Sequence, residues 1–235
     1  MTRWSRQTFT ALGVTQYPPG PYLDRLSHRK VYVTAPGNDN IGQILASMNV
    51  SHEPFNGEYD CTILFVNCGT PDRVDPAALA EFVRSGGCLY ASDHADALVA
   101  QAFPDLFSFG GRVGQAGWVT AAVVDPELEQ IIGPTITINF DMGSWTILRR
   151  SRGETLLRAV DGPYADQPIM AHVEYELGSV FYTCFHNRAQ ASEQEKRLLQ
   201  LLVLKQISVT SRTTVEQVGR SLGISLVAMR QDFQR

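Results

Sequence analysis

Short apolar segments alternate with amphipathic helical segments through the first half of the chain. Lys30–Ala35, Cys61–Asn67 and Cys88–Ala91 are rich in β-branched, aromatic or other apolar residues, which is typical of buried strands. Between them apolar residues recur at helical spacing, as in Pro76–Ser85. Strands that alternate with helices in this way pair into a parallel sheet. The pattern therefore predicts a three-layer α/β domain of the flavodoxin-like type, with helices on both faces.

The second half of the chain is predicted to be mostly β, with few helices between its strands. We expect this part of the sheet to be partly antiparallel, because short turns can join antiparallel strands directly. A long helix, Ser192–Ile207, is predicted after the last strand. The predicted strands are Trp118–Val124, Thr135–Phe140, Ser144–Arg149, Thr155–Val160, Ile169–Tyr175 and Val180–Phe185.

We divide the chain into an N-terminal arm (1–29), a main α/β domain (30–207) and a small helical tail (208–235). The arm contains the run Tyr17–Pro21, whose prolines exclude a helix or a central strand. The tail opens with polar residues, Ser208–Thr214, which we interpret as a linker.

Two short helices are predicted in the tail, Thr214–Leu222 and Leu226–Phe233. Their order around Gly223 is similar to the pattern of a helix-turn-helix. Residues 208–235 carry four Arg against one Glu and one Asp, which is only a mild basic excess. Because no further helix of a DNA-binding domain is predicted, we do not expect nucleic acid as a partner. We expect the tail to dock, or to join the chain to a second copy or another protein.

Charge and cysteine usage limit the class of protein further. The net charge of -4 gives no reason to expect nucleic acid or an acidic membrane as a partner of the whole chain. No apolar run approaches the ~18 residues that a membrane span needs. The four cysteines lie in or beside strand-like runs rather than in CxxC pairs, which argues against a zinc ribbon. Such usage is typical of reduced, buried thiols, so we expect a cytoplasmic protein.

The chemistry is predicted at the end of the strand Cys88–Ala91. Ser92, Asp93 and His94 follow this strand directly, and a helix is predicted from Ala95 onward. In an open parallel sheet, ligands bind outside the carboxyl ends of the strands. We therefore assign Asp93 and His94 as candidate catalytic residues and Ser92 as a candidate ligand-binding residue.

Other predicted strands also run into polar residues. His186 follows Val180–Phe185, and if this strand is parallel to Cys88–Ala91, both strands end at the same edge of the sheet. His186 is the third candidate catalytic residue, since an imidazole titrates near neutral pH and can act as acid or base. The remaining ligand-binding candidates are Asn67, Cys68, Gly69, Asp141, Trp145 and Asn187.

Plainer interpretations of these residues stay open at this point. Asp93 can cap the helix that follows it, and His94 can simply pack. Asp93, His94 and His186 can also bind a divalent metal, because two imidazoles and a carboxylate are suitable ligands. We assign no metal ligand and name no cofactor.

Several segments resemble the class I glutamine amidotransferase-like superfamily, and most of all its trehalose-utilisation (ThuA-like) branch. The resemblance covers residues 30–207 and depends on the order of the matches. The matching segments are Leu79–Gly87, Phe107–Trp118 with Val124–Pro126, Asp141–Trp145 and Gly178–His186. In that superfamily the loop corresponding to Asn67–Thr70 supplies backbone N–H groups to an oxyanion.

The departures from that family concern the reactive group. The resemblance places a nucleophilic Cys at the position of Asp93, whereas the ThuA-like branch tends to place a His there; here the His is one residue later, at His94. His186 matches the catalytic His of the amidotransferases, but the acidic residue expected two positions later is Arg188. The resemblance therefore implies an amidotransferase-like fold without the thiolate nucleophile of a glutaminase.

Two classes of function follow, and the sequence does not decide whether the protein is an enzyme. In the first, Asp93, His94 and His186 bind or transform a small polar ligand such as a sugar or polyol. In the second, the chain is a pseudoenzyme, a non-catalytic binding or assembly module that kept the fold and lost the chemistry. Fold alone does not choose between them.

The first prediction is that the protein has no glutaminase activity, because Asp93 stands where the reaction requires a Cys. Ammonia release from glutamine measures this activity directly. Ammonia release that a thiol-blocking reagent abolishes would contradict the prediction.

Overall fold

A mixed sheet of nine strands forms the centre of the protein, accompanied by a sheet of two strands. The structure is a computed structural model, and it describes residues 30–70, 73–186 and 193–234. The predicted arm (1–29) and Asn187 lie outside the described residues. The strands are β1 (Val31–Val33), β2 (Glu53–Pro54), β3 (Ile63–Val66), β4 (Cys88–Ser92), β5 (Phe107–Arg112), β6 (Gly117–Val123), β7 (Thr135–Phe140), β8 (Thr146–Ser151), β9 (Glu154–Ala159), β10 (Pro168–Tyr175) and β11 (Gly178–Thr183).

One half of the large sheet is parallel, with the strand order β2-β1-β3-β4-β11. This is the 2-1-3-4-5 order of flavodoxin-like folds. All residues of β3 and β4 are buried, as expected for central parallel strands covered on both faces. Thr183 of β11 stands opposite Ser92 of β4. The two strands are therefore parallel neighbours and end at the same edge, which confirms the parallel alignment expected from the sequence.

The other half of the sheet is antiparallel, in the order β11-β10-β9-β6-β7. Its alternating directions bring β7 back to the direction of β4, so the carboxyl end of β7 lies at the same edge. The two-stranded sheet pairs β5 with β8. The sequence did not predict β5, because its consecutive glycines, Gly110 and Gly111, disfavour a strand.

Helices cover both faces of the large sheet, which confirms the predicted three-layer α/β fold. Those formed by the described residues are α1 (Ile41–Ser47), α2 (Pro76–Arg84), α3 (Asp96–Ala102), α4 (Pro126–Ile132), α5 (Glu193–Ser211), α6 (Val215–Ser221) and α7 (Leu226–Phe233). α1 packs against α5, and α2 packs against α3. None of these helices is both long and apolar enough to cross a membrane.

A double glycine connects α2 to β4 and sets where the strand begins. Gly86 has a φ of +112°, which L side chains rarely adopt. A Cβ at Gly87 would lie 2.4 Å from the Phe82 ring, so only glycine lets the chain pass this close to α2. The carboxyl end of β4 is thereby placed beside those of β3 and β11.

The predicted polar linker is wrong for its first four residues, because α5 continues to Ser211. Two hydroxyl groups of this segment form hydrogen bonds inside the helix. Ser208 Oγ donates to the carbonyl of Lys205 at 2.8 Å, and Thr210 Oγ1 donates to that of Gln206 at 2.9 Å. The two helices predicted in the tail are present as α6 and α7. The division of the chain into arm, domain and tail stays a prediction.

A buried lysine on α5 forms ion pairs with two carboxylates at the start of α4. Lys205 on α5 is 3% exposed, and its Nζ lies 2.6 Å from Asp125 Oδ2 and 2.8 Å from Glu127 Oε2. Asp125 also caps α4 by accepting from the backbone N–H groups of Glu127 and Leu128. Glu127 accepts in turn from the N–H of Val215 at the start of α6, at 3.4 Å. This ion-pair cluster therefore joins α4, α5 and α6.

Replacing the buried lysine tests that cluster. Lys205→Met removes the ammonium group and leaves two carboxylates behind, which should lower the free energy of unfolding by about 3 kcal/mol. Arg220→Met is the matched control, because its ion pair with Glu216 is exposed and contributes little. Urea unfolding measures both variants, and equally small effects would contradict the role assigned to Lys205.

Candidate functional site

Asp93 occupies a strained turn between β4 and the helix that follows it. Its φ is +38°, which is uncommon for a residue other than glycine. The chain passes through a 3₁₀ turn, Asp93–Ala95, into α3. A strained strand-to-helix turn is the backbone geometry of a nucleophile elbow. The carbonyl of Asp93 is held by the hydroxyl of Tyr182 at 2.5 Å and by Thr146 Oγ1 at 3.3 Å.

The carboxyl group of Asp93 is fully buried and faces three different elements. Oδ1 accepts from the backbone N–H of Thr146 at 2.7 Å. Oδ2 lies 3.7 Å from Cys68 Sγ and 3.5 Å from His94 Nε2. The carboxyl therefore reaches across to the start of β8. The N-cap of α3 is Ala95, whose side chain cannot cap the helix.

Burial raises the pKa of Asp93 above its ordinary value, because a charged carboxylate loses its hydration there. The hydrogen bond from Thr146 N–H, and positive charge on His94 and His186, act in the opposite direction. His186 therefore acts on the Asp93 carboxyl through its charge, although it follows another strand.

His94 is partly exposed and links the elbow to the loop before β8. Its Nε2 lies 3.0 Å from the carbonyl of Ser144. Its own carbonyl accepts from Arg112 at 3.1 Å, and the Arg112 guanidinium lies 2.6 Å from Asp96 at the start of α3. Arg112 therefore fixes the direction in which the chain leaves the elbow.

His186 forms a second pair at the same edge. Its Nε2 lies 3.3 Å from Asp141 Oδ1, with the imidazole almost fully buried and the carboxylate partly exposed. The pair forms because Asp141 directly follows β7 and His186 follows β11, and both strands end at this edge. The ion pair therefore joins the residue after β11 to the residue after β7.

A shallow cleft of about 160 Å³ surrounds the second pair. Its walls approach too closely to admit a water molecule. Its lining residues come from β7, from the loop after it and from the end of β11: Asn139, Phe140, Asp141, Met142, Trp145, Cys184, Phe185 and His186.

Trp145 is mainly a core residue, with only one part at the cleft. The side chain is 2% exposed and packs against Phe140 and Tyr164. Its indole N–H donates to the carbonyl of Gln115 at 2.8 Å. A Cβ at Gly114 would lie 2.2 Å from the indole ring, so glycine is required there. The indole therefore holds the loop before β8 against the loop before β6.

The predicted residues at the end of β3 hold other loops in place. Asn67 Oδ1 accepts from the N–H of Ile41 at 2.9 Å, and Asn67 Nδ2 donates to the carbonyl of Thr34 at 2.8 Å. The N-cap residue of α1, Asn40, makes no capping hydrogen bond with its own side chain. Asn67 supplies that acceptor from the neighbouring strand instead.

Ser92 joins the backbone of Cys68 to the buried carboxylate of Asp39, which the sequence did not predict as a site residue. The N–H of Cys68 donates to Ser92 Oγ at 3.1 Å, and Ser92 Oγ donates to Asp39 Oδ2 at 2.5 Å. Burial raises the pKa of the Cys68 thiol to about 12, which keeps it neutral. Asp39 follows β1, so the rule that polar residues gather at strand carboxyl ends could have identified it.

Gly69 serves the contact between two loops. Its φ is +87°, and a Cβ there would lie 3.1 Å from Asn38 Nδ2. A Cβ at Gly37 would lie 2.5 Å from the carbonyl of Cys68. These glycines let the loops after β1 and β3 touch, at the point where the strand order reverses. Gly69 therefore allows the chain to approach itself closely here.

The structure thus groups the predicted residues by role. Asp93, His94 and Cys68 form one group at the elbow, and His186 with Asp141 and the edge of Trp145 forms another beside it. Asn67, Gly69 and Ser92 bind other parts of the chain. Residues not predicted by the sequence complete the edge by holding the elbow or its neighbouring loop: Asp39, Arg112, Thr146 and Tyr182.

No protein-family model and no curated protein matches this sequence, so the likeness to known proteins is structural. A ThuA-like protein from Bacteroides uniformis superposes with a TM-score of 0.58 at 10% identity, over 86% of this chain and 98% of that chain. A glutamine amidotransferase from Thermotoga maritima superposes with a TM-score of 0.50 at 11% identity, over 88% of this chain and 96% of that chain.

A β-galactosidase from Bacillus circulans sp. alkalophilus also superposes, with a TM-score of 0.52 at 11% identity. The match covers 79% of this chain and 31% of the β-galactosidase, so this chain corresponds to a minor part of that protein. The fold is amidotransferase-like and ThuA-like. The resemblance predicted from the sequence is confirmed at the level of the fold.

Proposed function

We propose that the edge formed by Asp93, His94 and His186 binds or transforms a small polar ligand of the sugar or polyol class. The observation that carries the proposal is the convergence of β4 and β11, which brings the charge of His186 to act on the carboxyl of Asp93. A carboxyl and two imidazoles offer both donors and acceptors, which vicinal hydroxyl groups require.

The cleft beside His186 supports the same class of ligand. It combines the Asp141 carboxylate with the aromatic edges of Trp145 and Phe140. Small-molecule sites typically pair apolar and aromatic walls with a few polar groups that fix orientation. The cleft is narrow, so the ligand is small and displaces the 141–144 loop as it binds.

The same groups can also serve an acid/base reaction. Burial favours the protonated form of Asp93, which suits a proton donor. His186, oriented by Asp141, is suited to the complementary role. Glutaminase chemistry is not part of this proposal, because Cys68 is the thiol beside the elbow and its pKa of about 12 leaves little thiolate.

The known structures agree with this proposal only through their fold. One neighbour is named as a ThuA-like protein, and the β-galactosidase acts on a sugar by its name. Fold likeness alone does not transfer an activity, so the proposal depends on the edge residues themselves. The cytoplasmic location also stays a proposal, supported by the four free thiols.

Calorimetric titration with glucose, trehalose and sorbitol tests the proposal. We expect at least one of them to bind, and His186→Ala to weaken its binding about tenfold or more, because a buried charge-assisted hydrogen bond is lost. His52→Ala is the matched control, since His52 lies beside α1 and contacts the carbonyl of Val50.

Folded wild-type protein that binds none of the three compounds would contradict the ligand class. Equal binding by wild type and His186→Ala would contradict the site. Either result would leave the non-catalytic binding or assembly module as the better interpretation.

A further inference from the structure

Three potential metal ligands of different chemistry meet at the elbow. A ligand atom from each of Cys68, Asp93 and His94 lies within 4.8 Å of the other two. Cys68 follows β3, whereas Asp93 and His94 follow β4, and these two strands are parallel neighbours. The fold therefore brings a thiol, a carboxylate and an imidazole to one point at the carboxyl edge.

The separations match those of a tetrahedral metal centre. Zinc lies about 2.3 Å from sulfur, and about 2.0–2.2 Å from nitrogen or oxygen ligands, so tetrahedral geometry requires about 3.6 Å between S and O and about 3.4 Å between O and N. The Cys68 Sγ to Asp93 Oδ2 distance is 3.7 Å, and the Asp93 Oδ2 to His94 Nε2 distance is 3.5 Å. The third separation, between Cys68 Sγ and His94 Nε2, lies within 4.8 Å, so the three ligand atoms surround one point.

The surroundings of Asp93 Oδ2 also support a metal site. This oxygen is fully buried; it accepts a weak hydrogen bond from the Cys68 S–H at 3.7 Å and lies 3.5 Å from His94 Nε2. The other oxygen is fixed by the N–H of Thr146 at 2.7 Å, so Oδ2 is aimed between Cys68 and His94. Orientation of a ligand by a hydrogen bond to its second atom is typical of metal sites.

We infer that Cys68, Asp93 and His94 form a binding site for a divalent transition metal, with zinc as the favoured ion. Thiolate and imidazole ligands select zinc over magnesium or calcium, which prefer oxygen ligands. Cys68 is a neutral thiol without the ion, so zinc binding would release its proton to solvent. The resulting thiolate and the Asp93 carboxylate would balance the charge of the ion, and three protein ligands leave one coordination position for water or substrate. His94 exchanges its contact with the Ser144 carbonyl for the metal.

This inference deepens the ligand-binding part of the proposed function, because a metal in this position would bind a ligand hydroxyl or a water at the same edge. With the ion bound, Asp93 would be a carboxylate ligand and not the proton donor. The role of the metal rests on the proposed function, whereas metal binding itself depends only on Cys68, Asp93 and His94. The earlier hypothesis of a metal between Asp93, His94 and His186 differs in its third ligand, since the structure pairs His186 with Asp141.

Cobalt substitution tests the site. The full chain is stripped with a chelator and titrated with Co²⁺ or Zn²⁺, and the bound zinc is counted by mass spectrometry. We expect one ion per chain and a thiolate-to-cobalt charge-transfer band. Cys68→Ser should abolish the band and weaken zinc binding by at least tenfold, and His94→Ala should weaken zinc binding similarly.

Cys61→Ser is the matched control, because Cys61 precedes β3 and therefore lies at the opposite end of that strand. It should keep the band and the affinity. The inference is overturned if folded wild-type protein binds no stoichiometric zinc, if the band survives in Cys68→Ser, or if the control loses it.

The outcomes separate this inference from the proposed function. Calorimetry with glucose, trehalose and sorbitol is repeated on the metal-free and zinc-loaded protein. Sugar or polyol binding by a protein that takes up no zinc overturns the metal site alone. Zinc binding without any sugar or polyol binding overturns the proposed ligand class alone.

Discussion

The burial of the Asp93 carboxyl is the constraint on which the rest of the edge depends. The group sits on a left-handed residue at the end of β4, and its oxygen accepts from the backbone of Thr146 at the start of β8. This hydrogen bond connects the parallel half of the protein to the small β5–β8 sheet. A strained residue persists only where its surroundings fix it, and here Tyr182 and Thr146 both hold its carbonyl.

Around that carboxyl, the loops after the parallel strands support one another. Asn67 caps α1, Ser92 joins Asp39 to the backbone of Cys68, and the glycines of two loops let them touch. Such a buried polar network is rigid when its members are satisfied. It leaves the partly exposed His94 and the His186–Asp141 pair, whose carboxylate is the exposed member, as the groups positioned to meet a ligand.

The sequence predicted the strands and helices well wherever local pattern and burial agree. The parallel strands and α2 are clear because their apolar residues follow the period of the element. The local sequence pattern did not predict β5, because its glycines disfavour a strand and only pairing with β8 stabilises one there. It also predicted a linker at Ser208, whose hydroxyl forms a hydrogen bond within α5. It also missed the partners of the elbow: Asp39 and Thr146 are both distant from it in sequence, and only the sheet topology brings them together.

The ionisation of Asp93 gives the most direct test of the claim that β4 and β11 deliver their polar residues to one site. Carbon NMR of the carboxyl, recorded on metal-free protein, measures its pKa in wild type and in His186→Ala. The account predicts a wild-type pKa above the ordinary ~3.9 of aspartate, and a further rise in His186→Ala because a stabilising positive charge is lost. A wild-type Asp93 pKa of about 3.9, or an Asp93 pKa that is the same in wild type and in His186→Ala, would contradict the account.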